Sequence, residues 1–251
     1  DGLWLDFDAI EAGIAAGARH LFYNNYNNPT GASSPSAEME RLAQLTVEHD
    51  LLLVSDEAYF DMLFDGDPRS IASLPGMRER TLILYTFSKK FAMTGWRLGG
   101  AIGPRWLTDE ISRLNVNAES CTAHFIQHAG VAALGLPAGE TNAIRDRLRT
   151  RRDLLATLLN EIDGVAAHLP EAGFYFFPRV TELMARTGFN DAEAFRQAVL
   201  DATGVSFCCR YHFGRPLEGE REHYLRFAFS GISLADLEEG MTRLTEWANS
   251  R

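Results

Sequence analysis

The chain has 251 residues, 46% hydrophobic and 23% charged, a globular balance for one large or two modest domains that excludes a disordered, collagen-like or coiled-coil protein. Its 24 Lys and Arg against 34 Asp and Glu give a net charge of −10, which argues against nucleic acid or an anionic membrane surface as a partner. Three cysteines (Cys121, Cys208, Cys209) form neither an even framework nor a CxxC pair, so they predict a reducing compartment, the cytoplasm, and no metal site; no apolar run or leader-like N-terminus predicts a membrane segment.

Phe7, Ile10, Ile14 and Ala15 recur at helical spacing within Asp6 to Ala18, and Leu21-Phe22-Tyr23 follows as a strand-like run. The polar, Gly- and Pro-bearing stretch Asn24 to Gly31 breaks regular structure. Ser34-Pro35 reads as a helix start with a capping hydroxyl, and Met39, Leu42, Ala43 and Thr46 mark the buried face of a helix ending near His49. The apolar runs Leu51–Val54 and Thr81–Tyr85 and the candidate Arg97–Gly103 lack in/out alternation, which predicts an α/β sheet buried on both faces. Trp106–Leu136 and Thr141–Ile162 read as helical. Beyond them come strand candidates at Val165–His168, Phe174–Phe177, Val205–Arg210 and Tyr224–Phe229, with helices at Asp191–Ala202 and Ser233–Asn249. This change of rhythm predicts a large-domain portion over 1–136 and a smaller α+β domain over 137–251.

Ligands of open α/β sheets sit beyond the carboxyl ends of the strands. Three successive strands deliver polar groups there: Asn28, then Asp56 and Tyr59, then Thr86, Ser88 and Lys89. Each string alone reads as a turn, a cap or a surface loop. Together they are hard to explain as packing, which requires none of them.

The strings Asn27-Asn28-Pro29-Thr30-Gly31, Ser55-Asp56-Glu57-Ala58-Tyr59, Thr86-Phe87-Ser88-Lys89 and Met93-Thr94-Gly95-Trp96-Arg97-Leu98-Gly99 resemble, in order and spacing, the signatures of class I/II aminotransferases, pyridoxal 5′-phosphate (PLP) enzymes of fold type I. Glu171-Ala172-Gly173-Phe174-Tyr175 and Leu225-Arg226-Phe227-Ala228-Phe229-Ser230 resemble small-domain strands of that family. The resemblance implies an incomplete, mainly parallel large-domain sheet with a smaller α+β domain. It assigns Lys89 the Schiff base and the proton transfer, in preference to Lys90, because the family's lysine directly follows the serine. It implies Asp56 on the pyridine nitrogen and Asn28 and Tyr59 on the ring's phenolic oxygen. The phosphate falls to Arg97, Ser88 and Thr86, and the substrate α-carboxylate to Arg226 with Asn28 beside it. Amino acid and 2-oxo acid substrates and a homodimeric full-length protein follow from the same resemblance.

Family members carry a long portion before the point matching Asp1, with a Gly/Ala-rich phosphate loop and an aromatic residue stacked on the ring. The resemblance therefore implies a fragment with unpaired sheet edges, uncovered apolar helix surface, weak PLP binding and little turnover. Other fold type I chemistries such as a C–S lyase, or a non-catalytic sensor or interaction module, stay open. His124 and His128 are read as packing or exposed rather than as metal ligands, and Met93 and Trp96 as core. Arg210 is a candidate for meeting a side-chain carboxylate, against the ordinary reading of an exposed loop arginine.

Overall fold

The computed structural model describes residues 4–251. The chain divides into two compact units, Asp1–Asn27 with Ala32–Arg145, and Asn28–Gly31 with Asp146–Arg251.

The first unit opens with helix α1 (Phe7–Ala15), started by Asp6, whose carboxylate accepts from the Ala9 N–H at 3.0 Å. Strand β1 (His20–Tyr23) follows, then α2 (Ser36–Glu48), β2 (Leu52–Asp56) and β3 (Thr81–Thr86). Expectation and structure part at the start of α2. Pro35 occupies the cap with no side-chain bond, and the Ser34 backbone N–H instead donates to Asn25 Oδ1 at 2.9 Å. Proline's fixed φ starts this helix without a capping hydroxyl. The helix buries Met39, Leu42, Ala43 and Thr46, and the first three join Tyr23, Leu53, Ile71, Leu74 and Met77 in one cluster. Each such aliphatic side chain withdrawn from water contributes roughly 1.5–3 kcal/mol.

The sheet order is β1-β2-β3-β4, with β4 spanning Gly99–Ile102. The first three strands are parallel and β4 is antiparallel to β3. The predicted mainly parallel sheet is thus present with a reversed last strand. Gly99 lies opposite Thr86, where a Cβ would come within 2.8 Å of the Tyr85 carbonyl oxygen. Among the described residues β1 and β4 pair on one side only. Phe22 on β1 is 67% exposed and Ile102 on β4 58% exposed. The helical stretch after β4 is two helices, α3 (Arg105–Ala118) and α4 (His124–Leu134), separated at 119–123. Leu114, Phe125 and Val131 project from them into solvent. The unit boundary falls within the next helix, α5 (Ala138–Asn160).

The second unit carries a three-stranded antiparallel sheet of β5 (Tyr175–Phe176), β6 (Cys208–Cys209) and β7 (Leu225–Ala228), ordered β5-β7-β6. The expected strand at Val165–His168 is reduced to one bridge, Ala166 to Arg179. Helices α6 (Thr181–Arg186), α7 (Ala192–Thr203) and α8 (Leu234–Asn249) complete the unit. Asp191 and Ser233 cap α7 and α8 by accepting from Ala194 and Asp236 N–H groups, and Gly204 ends α7 at φ +73°. Phe195 packs against Phe207 and Trp247, with Phe176 against Phe229, to form an aromatic core.

Gly31 belongs to this unit because its carbonyl accepts from the N–H groups of Glu171 and Ala172 at 2.9 and 3.0 Å. Its φ is +72°, and a Cβ would lie 2.5 Å from Pro170 Cβ. Gly31→Ala is therefore expected to destabilise the second unit by about 3 kcal/mol, strain and overlap adding, and to lower its melting temperature by several degrees. A melting temperature equal to wild type in thermal denaturation would contradict this.

Candidate active site

Parallel pairing places the ends of β2 and β3 at one rim of the first unit's sheet, with Asp56 opposite Leu84 and Thr86 two residues further on. The reversal of β4 returns the chain to that rim. The Phe87 N–H donates to the Leu98 carbonyl at 3.1 Å, which brings the Arg97 backbone beside the turn holding Ser88 and Lys89. Arg97 has φ +55°, an uncommon left-handed conformation for a residue with a side chain; its exposed guanidinium donates to the Thr94 carbonyl at 2.9 Å. Six expected site residues, Asp56, Tyr59, Thr86, Ser88, Lys89 and Arg97, thus lie in the first unit.

Their local chemistry is differentiated. The Thr86 hydroxyl donates to Ser88 Oγ at 2.8 Å and accepts from the Ser88 N–H at 3.2 Å, forming a fixed hydroxyl pair. Asp56 Oδ1 accepts from the Ala58 N–H at 3.1 Å, which orients its carboxylate. Tyr59 is buried, and the Lys89 Nζ lies 5.4 Å from its ring centroid. Burial lowers the Lys89 ammonium below the ordinary lysine range; the Arg97 guanidinium adds to this and the Asp56 carboxylate opposes it. Neighbouring Glu57 points into the structure: it is buried, accepts from the Ser55 and Ser70 hydroxyls, and burial raises its carboxyl above the usual range.

Lys90, the rival amine, pairs with Asp61 at 2.7 Å, whose other oxygen accepts from the Tyr85 hydroxyl at 2.8 Å. Asp61 is a residue the sequence reading missed, since nothing in the chain order links it to Lys90. Met93 is buried as expected, whereas Trp96 is 44% exposed because it ends a 3₁₀ turn, Thr94–Trp96, that faces outward. His124 and His128 stack edge to face on the exposed side of α4.

The second unit holds the other two expected residues. Arg226 Nη1 donates to Asn28 Oδ1 at 2.8 Å, and Nη2 lies 3.7 Å from Cys208 Sγ, its cross-strand neighbour. The rings of Tyr175 and Phe213 stand 4.2 and 4.5 Å from the guanidinium carbon. Aromatic faces leave the guanidinium's edge for hydrogen bonding, the geometry in which it reads a carboxylate. Its Nε is buried with no acceptor among the described residues, so the group has donor capacity to spare. Tyr175 is diagonal to Arg226 across the β5–β7 pair, a relation readable once the strands are aligned; Phe213 carries no such signal. Arg210 pairs instead with Glu220 at 3.0 Å and donates to the Gly214 and Arg215 carbonyls, so it fastens its own loop.

The donor set suits PLP. It offers an amine of lowered basicity, an oriented carboxylate for a protonated ring nitrogen, a phenol, and hydroxyl and guanidinium donors for a phosphate.

Residues 1–244 match the family described as aminotransferase class I and II. The arginine–pyruvate transaminase AruH of Pseudomonas aeruginosa is 37% identical over 219 residues, covering 87% of this chain and 54% of its own length. Aromatic-amino-acid aminotransferase 2 of Thermococcus litoralis is 36% identical, covering 96% of this chain and 60% of its own. Among solved structures, the N-succinyldiaminopimelate aminotransferase of Mycobacterium tuberculosis superposes with a TM-score of 0.89 at 30% identity, covering 98% of this chain and 62% of that one. The aromatic aminotransferase of Pyrococcus horikoshii OT3 gives the same TM-score, 0.89, at 33% identity. The chain thus spans between about half and two thirds of the length of these relatives. No helix among the described residues is long and apolar enough to cross a membrane. With its rim of strand-end groups, its α/β fold and this match along nearly the whole sequence, the chain belongs to the class I and II aminotransferases and has the fold type I architecture of their solved members.

Proposed function

We propose that this chain carries the lysine, cofactor contacts and carboxylate clamp of a PLP-dependent aminotransferase, which moves an amino group from an L-amino acid to a 2-oxo acid. The observation that carries the reading is the half-buried Lys89 amine, lowered in basicity, on one rim with Asp56, Tyr59, Ser88 and Arg97. When bound, PLP supplies an aldehyde for the amine and an electron-withdrawing ring that acidifies the substrate Cα. Asp56 would accept the ring N–H in a charge-assisted bond, Tyr59 would donate to the ring oxygen, and Thr86, Ser88 and Arg97 would hold the phosphate. The Lys89 Nζ, in its neutral form, would take the Cα proton. In the second unit Arg226 binds the α-carboxylate edge-on, and Asn28 Oδ1 holds the guanidinium in its plane.

The parent protein is proposed to be a cytoplasmic homodimer. Because the chain spans 54% and 60% of two of its relatives, weak PLP binding and low turnover are proposed for it alone. The test uses a nitrogen-labelled L-amino acid, PLP and an unlabelled 2-oxo acid, with products resolved by mass spectrometry. Label in the acceptor's amino acid supports transfer. Ammonia and pyruvate formed without an acceptor would instead indicate an eliminating lyase, and PLP bound with no product would indicate a sensor.

A further inference from the structure

We propose that Asp61 is a positioning residue that withholds Lys90 from an incoming aldehyde and so directs covalent attachment to Lys89. The proposal rests on the reading of Lys89 as the cofactor lysine. Lys89 and Lys90 are the only lysines in the chain; its other strongly basic side chains are all arginine. Two adjacent amines in one turn after β3 pose a selection problem.

Attachment needs a nitrogen lone pair. The lone pair adds to the aldehyde carbon, and the carbonyl oxygen leaves as water with two hydrogens from the nitrogen. An ammonium must first yield a further proton to solvent. The Lys90 ammonium donates to Asp61 Oδ1 at 2.7 Å, with the two side chains only 32% and 20% exposed. To react it would have to break this bond and abandon the charge that balances the carboxylate. The carboxylate cannot readily turn away, since the Tyr85 hydroxyl donates to its other oxygen at 2.8 Å, and Tyr85 stands on β3, the strand that leads into the lysine turn.

Asp61 lies in the 3₁₀ turn Phe60–Met62, two residues after Tyr59. One short segment therefore presents an aromatic ring to Lys89 and a carboxylate to Lys90. The carboxylate ties up Lys90. Burial acts on Lys89 by lowering its basicity.

The test maps attachment in the whole chain. Wild type, Asp61→Asn and Asp61→Glu are treated in parallel with PLP and with formaldehyde, reduced with borohydride, and the Lys90-to-Lys89 product ratio is read by peptide mass spectrometry. Circular dichroism checks that each variant is folded. The near-isosteric Asp61→Asn, which can still accept from Tyr85, is expected to raise the ratio about fivefold with either probe. Asp61→Glu, which keeps the charge, is expected to restore most of the wild-type ratio. A folded Asp61→Asn with an unchanged ratio for both probes would overturn the proposal. The cofactor reading fails separately: it is lost if PLP labels wild-type Lys89 and Lys90 in the same ratio as formaldehyde does, while the effect of Asp61→Asn on formaldehyde stands on the ion pair alone.

Discussion

Lys89→Ala is expected to abolish labelled amino transfer above the background of free PLP, while Lys90→Arg leaves it unchanged. No other lysine remains to substitute, because position 90 holds the only alternative, and its amine is occupied by Asp61. The pH dependence carries a second signature. A lowered basicity enlarges the neutral fraction of Lys89 at any given pH, so the rate of its capture by an aldehyde should reach its midpoint below the usual lysine value of 10.5. Linkage has the same sign. Between the folded and unfolded values the unfolded chain binds more protons, so the Lys89 contribution to stability becomes more favourable as pH rises through that window. Capture with a midpoint at or above the usual value would contradict the placement of this amine against Tyr59 and near Arg97.

Arg226→Ala should raise the Kd for a simple 2-oxo acid by at least about 30-fold, measured by calorimetry or NMR titration. The loss has two sources: the bidentate fork is gone, and the Asn28 Oδ1 that accepted from it at 2.8 Å faces no donor there. Arg226→Lys is expected to recover only part of the affinity, since it keeps the charge but not the planar fork held between Tyr175 and Phe213. Arg210→Ala should leave that Kd unchanged, because the guanidinium is spent on Glu220 and two carbonyls. Equal affinity in wild type and Arg226→Ala would remove the carboxylate role from this residue.

The parts of the fold that sequence made legible are those fixed by local pattern. The apolar runs became β2 and β3, and the spacing of Met39, Leu42, Ala43 and Thr46 became the buried face of α2. What stayed hidden depends on distant partners. An apolar run carries no direction, so the reversal of β4 and the return of Arg97 to the rim could not be read from it. The segment at 165–168 looked like a strand, but only Ala166 found a bridging partner. Ser34 looked like a cap, yet its backbone is held by Asn25 and the helix start is left to Pro35.

The same division runs through the candidate site. The types and order of its residues were visible as strings at strand ends. The differences among them were not: Asp61 separates the two lysines, and Tyr175 and Phe213 flank Arg226, through contacts formed only after folding. Arg210 shows the converse case: the ordinary reading of a loop arginine fits, since its guanidinium pairs with Glu220.

The most direct measurement is the visible absorption of the purified chain titrated with PLP at equilibrium, with Lys89→Ala and Lys90→Ala beside it. The expected result is a saturable band in wild type and Lys90→Ala that is missing in Lys89→Ala. The same band in Lys89→Ala, or its loss only in Lys90→Ala, would contradict the assignment of Lys89 as the cofactor lysine and the function built on it.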